Sequence, residues 1–96
     1  AKTARESGGS LMVGFCQRYS EGRLRMKSLI DSGVIGEITA VTAAKGNPPL
    51  TGWLADPIKG GGELHWLGVH ITDQVIWITG SHPERVYGEI RWHPTT

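Results

Sequence analysis

Cysteine is nearly absent from this 96-residue chain: its one thiol, Cys16, has no partner for an internal disulfide. A disulfide-stapled secreted scaffold is therefore excluded, and the chain is expected to be cytoplasmic. No uninterrupted apolar run approaches the roughly 18 residues that a membrane span requires, and Ala1 to Glu6 lack the apolar core of a signal peptide. A soluble chain without a membrane partner is expected. Charge of either sign is also missing in excess. Ten Lys and Arg stand against nine Asp and Glu, scattered along the chain. That leaves no basic footprint for nucleic acid or anionic lipid.

What is present suits one compact unit. The hydrophobic share is 39% and the 14 glycines follow no period, so collagen-like and low-complexity classes do not apply. The chain opens on Ala1 rather than Met and stops in Thr95-Thr96 directly after a strand-like pattern, and is read as a fragment.

Ala1 to Ser7 favour helix, and Gly8-Gly9 can close it through a left-handed residue. Leu11-Met12-Val13-Gly14-Phe15 is apolar without alternation, as in a strand buried on both faces. A helix is expected from Glu21 to Ser32, with Ser20 as its N-cap and Gly33 as its stop. A β-branched strand should run from Glu37 to Lys45, broken by Asn47-Pro48-Pro49. The irregular stretch from Pro48 to Gly60, with Trp53, Asp56 and Pro57, is long enough to cover a cleft. Glu63 to Thr79, ended by Gly80, should form the longest helix. The last segment alternates, with Val86, Gly88, Ile90 and Trp92 on one face and Arg85, Tyr87, Glu89, Arg91 and His93 on the other, and reads as a strand. The expected fold class is thus α/β (α+β), in the order helix-strand-helix-strand-helix-strand, with an incomplete open sheet.

On the long helix, Leu64, Leu67, Ile71, Val75 and Ile78 share one face at 100° per residue, and Trp66, His70, Asp73 and Trp77 share a second. A helix apolar on two sides packs between two partners. His70, with Asp73 one turn on to orient it, is either a general acid or base or a hydrogen-bonded core histidine. His65 and His70 are five apart and point about 140° away from each other on an α-helix, so no metal site is expected. Gly60-Gly61-Gly62 either lets amides approach an anion or permits tight packing. Gln17 and Arg18 stand at the end of the expected buried strand, where open α/β sheets bind ligands, and both can hydrogen-bond a polyol. The other reading of Arg18, and the one its position favours, is a solvated or ion-paired residue at a helix entrance.

Val13-Gly14-Phe15-Cys16-Gln17-Arg18-Tyr19, then Ser32-Gly33-Val34-Ile35-Gly36-Glu37, Gly60-Gly61-Gly62 and Leu67-Gly68-Val69-His70-Ile71-Thr72-Asp73, resemble in order and spacing the Gfo/Idh/MocA oxidoreductase family. The resemblance implies a parent protein in which a Rossmann domain binding NAD or NADP is joined to an α/β domain that forms the substrate cleft. Residues 1–18 would close the Rossmann-like part and 19–96 would open the second domain. The main cofactor-binding site and a Glu-Lys-Pro lysine would lie upstream of Ala1, so no tight cofactor binding is expected of these residues alone.

His70 falls on the family's catalytic histidine. The residue four positions earlier, an aspartate in the family, is Trp66 here, and a frequent arginine of the strand-end motif is replaced by Gln17. The implied activity is NAD(P)-dependent oxidation of a secondary alcohol of a sugar or cyclitol. His70 and Asp73 would handle the proton, and Gln17, Arg18, Trp53 and Trp66 would line the substrate cleft. A homo-oligomer through the second domain's sheet is expected. The alternative is a non-catalytic carbohydrate-binding or oligomerisation module of the same fold, with Trp66 as the mark of lost chemistry.

Overall fold

A computed structural model of the chain describes residues 1–91. Three α-helices carry it: α1, Lys2–Glu6; α2, Glu21–Asp31; and α3, Val69–Thr79. Single 3-10 turns occur at Cys16–Tyr19 and Gly52–Ala55, and a π-helical turn, Leu64–Gly68, leads directly into α3.

The helix ends follow from glycine stereochemistry. Gly8, Gly33 and Gly80 each adopt the left-handed conformation that a side chain disfavours. At the end of α3 the Gly80 N–H donates to Ile76 O at 2.9 Å, capping the last turn. Ser20 does occupy the N-cap of α2, but its hydroxyl does not cap the helix. It donates to Gln17 O at 3.2 Å and accepts from Arg23, so the oxygen is turned towards the preceding turn.

The expected sheet is not there. Among the described residues no segment forms a strand, which overturns the helix-strand alternation and open sheet. Residues 11–15, 37–45 and 85–91 have no assigned secondary structure beyond isolated bends. Leu11, Met12 and Val13, read as buried on both faces, are exposed. An apolar run or a period of two states which side chains share a face. A strand exists only when a neighbouring backbone supplies the ladder of N–H and C=O partners, and the three segments do not pair with one another. Trp92 and His93, assigned to the last strand, lie outside the described residues.

The arrangement is open. The radius of gyration is 16.9 Å, against about 12.5 Å for a close-packed chain of this length. No apolar side chain among the described residues is fully buried, and Asp73 is the buried polar one.

The helix 64–79 is the spine and has neighbours on two sides. Leu64, Leu67, Ile71 and Val75 face residues 38–45 and 86–91 across two clefts of about 570 and 530 Å³. On another side, Asp73, Gln74 and Trp77 meet the Cys16–Tyr19 turn.

Candidate functional site

The π turn positions the site. The Val69 N–H reaches back five residues to Leu64 O, so one extra residue is accommodated in the turn before α3. Uniform 100° spacing therefore fails across Gly68. On the stripe expected to join Trp66 to His70, Asp73 and Trp77, Trp66 is exposed and Asp73 is buried.

Past the π turn, the Cys16–Tyr19 turn docks on α3 through two consecutive residues. Arg18 Nε donates to Asp73 Oδ2 at 2.8 Å, and its terminal NH2 donates to Oδ1, making a forked pair. The guanidinium also lies 5.8 Å from the centre of the Trp77 ring, within cation–π range. Its hydrogen bond to Asp73 holds Arg18 above its ordinary value, with desolvation opposing, so the group stays cationic at every pH a protein meets. Next to it, Gln74 Nε2 donates to Gln17 Oε1 at 2.8 Å, while Gln74 Oε1 accepts from Arg23 Nε at 2.7 Å. The network spans more than 50 residues of sequence and joins the turn, α2 and α3.

Phe15 enters the turn in the left-handed conformation, φ 39° and ψ 49°, and is the one non-glycine residue with positive φ among those described. Such a conformation costs about 1–2 kcal/mol for a side chain with a Cβ, and the surrounding contacts must hold it. Its ring meets His70 edge to face, with centroids 6.4 Å apart and planes at 89°. His70 Nδ1 is buried and finds no hydrogen-bond partner among the described residues. The expectation that Asp73 orients His70 is not met, since both carboxylate oxygens bind Arg18.

Of the residues singled out from sequence, the structure brings together Gln17, Arg18, His70 and Asp73. It does not bring Trp53 and Trp66 to them as partners. Trp53 is exposed on the Gly52–Ala55 turn and Trp66 is partly exposed on the π turn, and neither lines the clefts beside α3. Phe15, Gln74 and Arg23 were missed as site residues. Gln74 neighbours Asp73 in sequence and could have been flagged by that adjacency, whereas nothing local marks Phe15 as left-handed.

The triple glycine is a packing device. A Cβ on Gly60 would come within 2.3 Å of Leu54 O, and one on Gly61 within 3.1 Å of the His65 ring. Gly60 and Gly61 are thus crowded by protein, whereas Gly62 stands open beside the cleft. Among the described residues no group of three or more His, Cys, Asp or Glu is placed to hold a metal ion, and no helix is long and apolar enough to cross a membrane.

The left-handed entry at Phe15, the buried Nδ1 of His70 and the Arg18–Asp73 fork make up the candidate site, and comparison with known proteins gives the family. The model of the GFO/IDH/MocA C-terminal domain matches residues 24–96, and the chain belongs to the Gfo/Idh/MocA family. It is 33% identical over 84 residues to glucose-fructose oxidoreductase domain-containing protein 2 of Homo sapiens, covering 83% of this chain and 22% of that protein. With D-glucoside 3-dehydrogenase of Escherichia coli (strain K12) it shares 30% identity over 82 residues, 81% of this chain and 23% of that enzyme. The mouse glucose-fructose oxidoreductase domain-containing protein 1 is 31% identical over 84 residues, with 83% and 22% covered. The chain thus spans under a quarter of the length of these relatives. No solved structure matches it significantly.

Proposed function

We propose that this chain is the substrate-side part of an NAD(P)-dependent oxidoreductase acting on a secondary alcohol of a sugar or cyclitol. In this reading residues 1–18 close a Rossmann-like domain and residues 19–96 open the second domain. The nicotinamide, held by residues outside those described, supplies the hydride chemistry.

The observation that carries the reading is His70. Its imidazole stands at the first turn of α3, beside the entry of the Cys16–Tyr19 turn, with a buried Nδ1 that no group among the described residues satisfies. A buried polar atom without a partner is costly, and a substrate hydroxyl or an ordered water would satisfy it. A histidine ring nitrogen can accept a proton, so His70 can take the hydroxyl proton as the alcohol is oxidised and return it in the reverse direction. Trp66 cannot share that proton as a carboxylate would. Its exposed indole offers a sugar ring an apolar face instead, as does Trp53. Gln17 supplies amide contacts at the rim. A cytoplasmic setting and self-association through the exposed apolar residues Val86, Tyr87 and Ile90 belong to the same proposal.

The two exposed tryptophans also favour a second reading, carbohydrate binding without turnover. One experiment separates the two: the full-length protein is given a methyl D-glucoside with NAD+ or NADP+ and reduced nicotinamide is followed by absorbance. Turnover that falls by about a hundredfold or more in His70→Asn supports the oxidoreductase reading. Glucoside binding by calorimetry with no nicotinamide reduction in the wild type supports the second.

A further inference from the structure

The proton step leaves the most buried group of the site unused. Asp73 is 8% exposed and each of its oxygens accepts from the Arg18 fork, while among the described residues no hydrogen bond joins it to His70. Arg18 is equally committed, with Nε and one NH2 on Asp73 and its plane near Trp77.

Arg18 also holds Phe15. Its backbone N–H donates to Phe15 O at 3.1 Å while its side chain grips α3. Phe15 in turn meets the His70 ring. The path from Asp73 through Arg18 and Phe15 to His70 starts and ends on α3, one helical turn apart, and Gln17 fastens the same turn to Gln74.

We infer that Arg18 and Asp73 are positioning residues: their ion pair locks the Cys16–Tyr19 turn onto α3, and the Phe15 ring thereby fixes the plane of the His70 imidazole. The inference rests on the proton-carrier reading of His70 and changes the roles of its neighbours. Neither Arg18 nor Asp73 touches substrate. With Nδ1 unpartnered among the described residues, no hydrogen bond there sets the ring's rotation about its Cβ–Cγ bond, and an aromatic edge against one side does so instead. Proton transfer needs a defined ring plane, because its rate falls steeply with misalignment.

Three variants of the full-length protein test this, Phe15→Gly, Asp73→Asn and Arg18→Gln, together with the Arg18→Gln/Asp73→Asn double. Phe15→Gly removes the ring while accepting the left-handed backbone without strain, so it remains informative should loss of the buried charge prevent folding. The first readout needs no substrate: the ring resonances of His70 in protein labelled with ¹⁵N-histidine. The second is turnover of a methyl D-glucoside with NAD+ or NADP+.

All three single variants are expected to shift the His70 signals. Each should lower kcat about tenfold or more with little change in KM, and the double variant should be no worse than either parent. Unmoved His70 signals in Phe15→Gly would overturn the inference. So would an Arg18→Gln variant whose KM rises at constant kcat, since Arg18 would then bind substrate. If His70→Asn is inactive while Phe15→Gly matches wild type, the latch alone fails. If His70→Asn stays active, the proton-carrier reading fails, and the ring signals still decide whether the latch orients His70.

Discussion

Gly60→Ala distinguishes a glycine needed for packing from one needed for an anion, and its size can be worked from the geometry. The added Cβ would stand 2.3 Å from Leu54 O, 2.8 Å from Leu54 C and 2.9 Å from Leu54 Cα. A carbon and an oxygen not bonded to each other require roughly 3.0 Å or more, so one of the two backbones must move by about 0.7 Å or more. Neither is free to do so cheaply. The Gly60 N–H donates to Asp56 O at 2.8 Å, and Asp56 Oδ1 accepts from the N–H groups of Ile58 at 2.8 Å and Lys59 at 3.1 Å. The Leu54 carbonyl belongs to the 3-10 turn Gly52–Ala55, closed by Asp56 N–H to Trp53 O at 3.2 Å.

Overpacking of this kind costs about 1–3 kcal/mol. Urea unfolding of the full-length protein should show that loss at unchanged slope, with Gly46→Ala as the control because nothing stands within 4 Å of a Cβ there. Affinity for NAD+ or NADP+ should not change. A Gly60→Ala protein as stable as the Gly46→Ala control, yet weakened in nicotinamide binding, would refute the packing argument and restore the anion cradle.

Gly80→Ala places a Cβ on the left-handed cap of α3 at φ 67° and should cost about 1 kcal/mol in the same unfolding assay, whereas Gly22→Ala, inside α2 with no obstruction and no positive φ, should be neutral or stabilising. Trp66→Ala and Trp53→Ala should weaken binding of a methyl D-glucoside by up to about tenfold each, measured by calorimetry, with the unfolding midpoint nearly unchanged in Trp53→Ala, whose indole is the more exposed of the two. Lys27→Ala breaks an i,i+4 pair with Asp31 on α2 and should cost under about 0.5 kcal/mol, a loss that added salt reduces further.

Helices were legible in the sequence where local chemistry suffices. Glu21–Asp31 and Val69–Thr79 stop at left-handed glycines, Gly33 just beyond the first and Gly80 at the second, because that stereochemistry is a property of one residue and its own backbone. Strands were not legible in the same sense. The patterns in Leu11–Phe15 and Glu37–Lys45 describe faces, but pairing depends on a second backbone that no local pattern supplies.

The candidate site was legible only in part, and its wiring was hidden. His70 and Asp73 follow from helical spacing, and Gln17 and Arg18 from their place after an apolar run. The fork between Arg18 and Asp73 closes over 55 residues, so sequence could suggest an ion pair for Arg18 but not its partner. Trp66 lies on a π turn that uniform spacing did not foresee, since such a turn changes the phase without changing composition. Phe15 gave no signal because its left-handed backbone is held by distant contacts rather than by its own preference.

The most direct test of the account is the single-turnover rate of glucoside oxidation by full-length protein carrying His70→Asn, compared with wild type at saturating NAD+ or NADP+. A fall of about a hundredfold or more with glucoside binding intact is the predicted result. An unchanged rate would remove His70 from the proton step and contradict the proposed function at its centre.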